Sequence, residues 1–410
     1  MTRSCRFCNA ALTQTLVDLG ETPLANSYLP AGDAGALAAE RRFPLHVMVC
    51  NSCWLAQTTE TVPADAIFSH GYAYLSSFSQ GWVDHARRYA TAMTARFSLG
   101  PQSKVVEIAS NDGYLLQHFV ADAVPVLGVE PAGHAASLAE AKGVPTRVAF
   151  FGEATARQLR EEGHGADLMA ANNVLAHVPD IRDFAAGFRV LLNPQGVATF
   201  EFPHLARLIE QVQFDTIYHE HYSYLSLTFV RRLMEEAGLE VFDVERLPTH
   251  GGSLRVFVGH KGAHQPGPGL AEVAAEETRL KLDQAAGYGD LAGKVAAITS
   301  AFRAFVARAR EDGKTIAGYG AAAKGNTFLN VAGIGANDIA FVVDRNPEKQ
   351  ATLLPGSHIP VFAPEEIAAR RPDYLVILPW NIAAEVRDQQ AQIRAWGGEF
   401  VTAIPTLHIG

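Results

Sequence analysis

From residue 104 onward, short apolar runs alternate with stretches of helical periodicity. Residues 105–109 read as a strand and 113–119 as a helix; 126–130 is the next strand, followed by a helix over 134–142. Two more strands follow at 168–171 and 196–200. Strands separated by helices imply a doubly wound parallel sheet. This block runs to about Leu247. A link carrying Gly251-Gly252 and a glycine-rich run over 262–269 comes next, then long helical stretches over 270–312. A second unit of the same kind starts at Thr315, with strands at 315–319, 339–343, 374–378 and 400–404.

The first 100 residues follow a different pattern. Strands are expected at 43–50 and 55–59, then an aromatic segment over 68–78, and a helix over 80–96 that ends before Gly100-Pro101. All 4 cysteines of the chain fall within the first 53 residues, as Cys5-x-x-Cys8 and Cys50-x-x-Cys53. Two such knuckles can close a tetrahedral thiolate cage around zinc. Four thiolates leave no open coordination position, so the metal is structural, and Lewis-acid chemistry there is not expected. Four free thiols in a reducing compartment are the plainer alternative. The expected organisation is a zinc-binding module over 1–60, a connecting segment over 61–100, one α/β domain over 101–247, and a second with leading helices over 248–410.

Composition narrows the function. The 410 residues are 48% hydrophobic and 19% charged, a globular balance too long for a single core. The net charge of −9 and the lack of any Lys/Arg cluster argue against a nucleic-acid partner, which needs a basic face. No apolar run approaches the length of a membrane span, and the first residues lack the apolar core of a signal peptide. A cytoplasmic protein is therefore the default. Nothing in the residues fixes an oligomeric state, and a monomer is the working expectation.

In the first α/β domain, Glu107-Ile-Ala-Ser-Asn-Asp-Gly113 lies between a strand and a helix, where ligands meet the carboxyl end of a parallel sheet. Ala109, Ser110 and Gly113 let the backbone approach closely, while Asn111 and Asp112 can cap the following helix. The loop lacks Gly-x-Gly-x-x-Gly and so suits a pyrophosphate poorly. S-adenosylmethionine, a sulfonium without phosphates, does not need that loop. Glu130, before Pro131, ends the second strand and could accept both ribose hydroxyls. One of Phe150 and Phe151, taken as Phe151, could stack on adenine, and Asn172 closes the fourth strand. The plainer readings are a solvated strand end for Glu130 and core packing for the phenylalanines.

Beyond the fifth strand come Glu201-Phe-Pro-His204 and then Tyr218-His-Glu-His-Tyr-Ser-Tyr224, in which every residue but Ser223 is ionisable or phenolic. Histidine suits proton abstraction near neutral pH, and tyrosine can donate to a developing oxyanion. A second metal held by His219 and His221, joined by His177 and His204, is the rival reading.

Taken in order, these motifs resemble the nucleotide-sugar C-methyltransferases of deoxysugar biosynthesis, the family of the tetronitrose and mycarose C-3 enzymes. The resemblance rests on both cysteine knuckles, Glu107 to Gly113, Ala171-Asn-Asn-Val-Leu-Ala-His177, Tyr218-His-Glu-His221, His250-Gly-Gly252 and Gly318-Tyr-Gly-Ala-Ala-Ala-Lys324. It implies an α/β fold: an N-terminal zinc module, a class I Rossmann-like methyltransferase domain and a second Rossmann-like C-terminal domain. It also implies S-adenosylmethionine as cofactor and a nucleotide-linked 4-keto-6-deoxyhexose, methylated beside the ketone, as substrate. His221 would be the base, with Tyr218 and His177 near the keto oxygen or sugar. Tyr72 would close over the site, and Glu220 would bind or orient. Because adjacent residues do not face each other in regular structure, Glu220 is not expected simply to orient His221. Two departures stand out. Ala109-Ser110 replaces a common Gly-Cys in the cofactor turn, and His219 leaves the sugar specificity open.

On the same resemblance, the C-terminal domain grips the nucleotide diphosphate of the substrate, with Lys324 as phosphate partner. Asn326, Asp344, Trp380 and Asn381 lie nearby in the expected crevice, and His250 and Gly251 would let a sugar approach the backbone. The rivals are a C-terminal domain that only braces its neighbour, an O- or N-methyltransferase, and a non-catalytic zinc-containing binding protein.

Overall fold

The computed structural model describes residues 3–59 and 75–410. Its centre is a seven-stranded sheet in the order Leu239–Leu247, Ser253–His260, Leu192–Pro203, Ala166–Asn172, Val105–Ile108, Val126–Val129, Thr146–Arg147. Every strand runs parallel except Ser253–His260, which is antiparallel to both neighbours. Val105–Ile108 and Val126–Val129 are buried at every position. Helices cover both faces of such a sheet, so its strands show unbroken apolar runs rather than alternation. One face packs on Gln80–Phe97 and Leu116–Ala121, the other on Ile181–Leu191 and Leu227–Glu236.

The apolar pattern ends this unit at Leu247 and gives the residues beyond it to the second α/β domain. The structure instead places Ser253–His260 inside the central sheet, bonded to Leu192–Pro203. The glycines that suggested a linker form the tight turn of a hairpin, with Gly251 and Gly252 at φ of 87° and 115°. The helix expected from 113 begins only at Leu116, because Asn111 and Gly113 adopt φ of 49° and 76° in the turn before it. The helical stretch over 270–312 is two helices, Pro268–Arg279 and Leu291–Glu311, separated by a turn at Ala285–Tyr288.

The C-terminal sheet runs Val361–Phe362, Phe341–Val343, Ile316–Tyr319, Tyr374–Ile377, Glu399–Thr402, His408–Ile409, with only the last strand antiparallel. The N-terminal module is an antiparallel sheet of Gln14–Thr22, Phe43–Val49 and Ala56–Thr58. Its fourth strand, Ser223–Tyr224, comes from the middle of the chain and pairs with Gln57 and Ala56. On the opposite side of the module, Leu29–Pro30 pairs with Thr352–Leu353. The module is thus stitched into both α/β units. Among the described residues, no helix is long and apolar enough to cross a membrane.

One buried carboxylate ties the central domain to its C-terminal arm. Glu277, 1% exposed, accepts from Leu227 N and Thr228 N at 2.7 Å each and from Thr228 Oγ1 at 2.6 Å, capping the helix Leu227–Glu236. Its Oε1 also lies 2.7 Å from His204 Nε2. Burial pushes this carboxyl up, but the bonds from His204 and Thr228 outweigh it and hold the group below its ordinary range. Glu277→Ala is expected to lower stability by about 3–5 kcal/mol in urea unfolding, as breaking a buried pair does. A depressed carboxyl stabilises above its unfolded pKa, so the deficit should shrink as pH falls through the native value.

Candidate active site

Both cysteine knuckles fold alike. Cys5 N donates to Ala10 O and Asn9 N to Cys5 O; Cys50 N donates to Leu55 O and Trp54 N to Cys50 O. Asn9 and Trp54 close the two turns at φ of 60° and 68°. The four sulfurs lie within 4.8 Å of one another, with Cys5 to Cys53 at 3.6 Å and Cys8 to Cys50 at 3.4 Å. Tetrahedral zinc with bonds of about 2.3 Å needs sulfurs roughly 3.8 Å apart, so the cage fits. No other group of described residues could hold a metal ion. The four histidines of the second-metal reading do not gather: His204 is committed to Glu277, and His219 Nε2 faces the Phe43 and Pro44 carbonyls at 3.2 and 3.3 Å.

At the carboxyl end of the central sheet, Ala109, Asn111 and Gly113 all take positive φ. Glu130 stabilises this turn from the next strand, accepting Asn111 N at 2.9 Å and Ala132 N at 2.8 Å. A Cβ on Gly113 would come within 3.2 Å of Ala139 and Val144, so the turn lies hard against the next helix. Burial pushes the Glu107 carboxyl well up. Glu107 Oε2, Ser110 Oγ, Asp112 Oδ1 and Asn172 Oδ1 are buried without hydrogen-bond partners. Native proteins rarely orphan four polar atoms in one place, and a polar ligand seated there would satisfy them. Pro131 follows Glu130, half-buried. Phe151 packs edge-on against Phe184 and Phe188, while Phe150 is 54% exposed.

The segment after Leu192–Pro203 folds as the helix Leu205–Glu210, the turn Phe214–Thr216 and the strand Ser223–Tyr224. It brings His221 to 4.0 Å from the Tyr218 ring and 4.7 Å from His177, centroid to centroid. His221 Nδ1 lies 2.8 Å from Thr216 O. A carbonyl only accepts, so Nδ1 carries the proton and Nε2 presents a lone pair. Desolvation, with His177 beside it, pushes the His221 pKa well down. Glu220 faces away, accepting from Asn26 Nδ2 at 2.7 Å, and burial pushes its carboxyl up to about 7. Tyr72 lies outside the described residues.

The turn Thr249–Gly251 adds His250, held at φ 54°, with Nε2 3.4 Å from Asn173 Nδ2 and its ring tilted against Trp82. Beneath it, Glu201 accepts Thr249 Oγ1 at 3.0 Å and pairs with His85 at 2.9 Å and Arg255 at 3.1 Å. From the C-terminal domain, Lys324 donates to Asn381 Oδ1 at 2.8 Å and lies over the Trp380 ring. Trp380 Nε1 donates to Asp215 Oδ2 at 2.7 Å, and a Cβ on Gly251 would meet the Trp380 ring at 2.4 Å. Asn326 and Asp344 are engaged within the fold. Asn326 donates to Ala25 O at 2.6 Å, and Asp344 accepts Ala321 N and Asn346 N at 2.7 and 2.8 Å. Sequence reasoning missed Asp215, Asn26, Trp82 and the Glu201 network. Of these only Glu201 stands in a recognisable motif, and nothing in its spacing reveals His85 or Arg255 as partners.

Family models cover most of the chain: a zinc binding domain over residues 5–68, a methyltransferase domain over 82–244 and a C-methyltransferase C-terminal domain over 248–405. C-methyltransferase NovU of Streptomyces niveus is 37% identical over 402 residues, 98% of this chain and 95% of that protein. The chain belongs to the C-methyltransferase family. Solved structures resemble it only in part. The PH0226 protein of Pyrococcus horikoshii is 15% identical with a TM-score of 0.38, over 46% of this chain and 95% of its own. Magnesium protoporphyrin IX methyltransferase of Synechocystis is 13% identical with a TM-score of 0.34, over 48% and 89%. Such scores add nothing to the fold that the strand order already defines.

The C-methyltransferase is an S-adenosylmethionine-dependent enzyme with a zinc site. Glu107, Asn111, Glu130 and Asn172 border the turn at the carboxyl end of the central sheet, and the four cysteines form the cage that would hold zinc. The cysteine module also reaches the candidate site, because Ser223–Tyr224, two residues downstream of His221, pairs with Gln57 and Ala56. Stripping zinc with a chelator, or Cys50→Ser, should therefore lower the melting temperature and abolish methyl transfer. S-adenosylmethionine affinity, read by calorimetry, should fall less than about threefold, since the 107–113 turn is held by Glu130 and by the helix Gly133–Ala141 rather than by the cysteine module.

Proposed function

We propose that this C-methyltransferase acts on a nucleotide-linked 4-keto-6-deoxyhexose and methylates C-3, the carbon next to the ketone. The observation that carries the reading is the His221 imidazole, fixed through Nδ1 by the Thr216 carbonyl with Nε2 left as an acceptor. A carbon nucleophile does not exist until a proton leaves, so this chemistry needs a neutral base beside an oxyanion donor. Depression of its pKa keeps His221 neutral, and the Tyr218 hydroxyl, with His177 close by, is suited to meet the keto oxygen as it gains charge. His250, Gly251, Trp380 and Asn381 are the residues we assign to sugar contact, and Glu220, bonded to Asn26, we assign to positioning the Tyr218–His221 segment rather than to touching His221. When bound, S-adenosylmethionine supplies an electrophilic methyl group. The chain's task is to hold two molecules in line and exclude water.

Wild-type enzyme incubated with thymidine- or uridine-diphosphate 4-keto-6-deoxyhexoses in deuterated water, without cofactor, should exchange the α-proton, followed by NMR. His221→Asn should lose exchange and methylation by about 10²–10⁴-fold, with cofactor affinity unchanged. Retained turnover would remove His221 from the base role. Because the imidazole gains a proton only below its ordinary range, the acid limb of kcat/KM assigned to His221 should lie below pH ~6.5. A limb above that value would contradict the depressed pKa.

A further inference from the structure

The turn Phe214–Thr216 uses its three residues in three directions. The Phe214 ring meets Phe328 of the C-terminal helix Ala323–Ala332 at 6.0 Å, and Thr216 O holds the His221 imidazole. Between them Asp215, 1% exposed, binds Trp380 through Oδ2, while Oδ1 is buried without a hydrogen-bond partner. Lys324, one residue into the helix packed on this turn, gives one of its three N–H donors to Asn381. A desolvated ammonium with donors to spare is costly unless something negative faces it. Its charge reaches the active centre: it contributes to pushing both His221 and His250 down and helps hold the Asp215 carboxyl, which burial pushes up to about 6.

Resting on the keto-sugar reading above, we infer that Lys324 is a catalytic residue whose ammonium faces the substrate's keto oxygen, and that Asp215 is the positioning residue that holds it there. Ring geometry favours this over a grip on the diphosphate. In a hexopyranose the anomeric C-1, which carries the diphosphate, lies across the ring from C-4, whereas the ketone oxygen is only two bonds from the carbon that His221 deprotonates. Lys324 is carried on the helix that packs against the turn anchoring the base, which places its ammonium on the ketone side of the sugar rather than at the diphosphate. As the C-3–H bond breaks, the proton goes to His221 Nε2. Its electron pair forms the C-3–C-4 double bond, and the carbonyl π pair moves to oxygen, opposite Lys324. C-3 then bonds the methyl carbon as the methyl–sulfur bond breaks, its pair remaining on sulfur.

The test compares wild type, Lys324→Gln, Lys324→Arg, Asp215→Asn and His221→Asn in the α-proton exchange assay without cofactor. Calorimetric affinities for thymidine diphosphate alone and for S-adenosylmethionine are measured alongside. Lys324→Gln should cut exchange at saturating sugar by about 10²–10³-fold, the cost of removing one oxyanion partner, with thymidine diphosphate affinity within about twofold. Lys324→Arg, which keeps the charge, should recover part of the rate. Asp215→Asn, which can still accept from Trp380, should lower the exchange rate about tenfold without changing KM or cofactor affinity. If Lys324→Gln exchanges like wild type while His221→Asn does not, the inference fails and the keto-sugar reading stands. A tenfold loss of thymidine diphosphate affinity with an unchanged saturated rate would make Lys324 a phosphate grip and equally overturn it. If wild type exchanges no keto-sugar, both fall together.

Discussion

The hydrogen bond between His221 Nδ1 and the Thr216 carbonyl decides what this active site can do. It fixes the tautomer, aims Nε2 and anchors the imidazole to a three-residue turn rather than to a mobile side chain. That turn is held in turn by aromatic packing of Phe214 on Phe328 and by the Asp215–Trp380 bond, both with partners from the C-terminal domain. A base must be placed to within a fraction of an ångström to act. On the proposed reading its placement depends on the contact between the two α/β units, which gives the second Rossmann-like domain a part in the chemistry.

The zinc module reinforces the same segment from the other side. A cage of four thiolates leaves no open position for a reacting ligand. Its contribution is a rigid sheet edge on which Ser223–Tyr224 docks, and an arm that places Asn26 on Glu220 and Leu29–Pro30 against the C-terminal domain. A strand of two residues has almost no stability of its own, so it persists only because the cage and sheet are already formed. The short segment from Tyr218 to Tyr224 is therefore held by the central sheet, the N-terminal module and the C-terminal domain together.

Much of this was legible in the residues. The apolar runs of the parallel strands and the paired cysteine knuckles carry local signals, because burial on both faces and tetrahedral thiolate geometry each leave a pattern within a few residues. Tyr218, His177 and His221 were legible as chemistry and do converge. Relations between distant segments stayed hidden. Glu201 meets His85 and Arg255 across 116 and 54 positions, and Asp215 meets Trp380 across 165. No periodicity encodes such pairings. The glycine hairpin at 251–252 misled in the opposite sense, because the same residues serve a linker and a tight turn between antiparallel strands. The partners of Asn326 and Asp344 were equally hidden: Asn326 Nδ2 donates to Ala25 O, 301 positions away, and Asp344 accepts from Ala321 N and Asn346 N.

The destination of the methyl group separates enolate chemistry from every rival. The direct measurement is NMR of the product made from a nucleotide-linked 4-keto-6-deoxyhexose and S-adenosylmethionine carrying a 13C-labelled methyl group. A His221-generated enolate predicts one-bond carbon–carbon coupling between the labelled methyl and C-3 of the sugar. A labelled methyl attached to oxygen or nitrogen, with no coupling to a ring carbon, would contradict it.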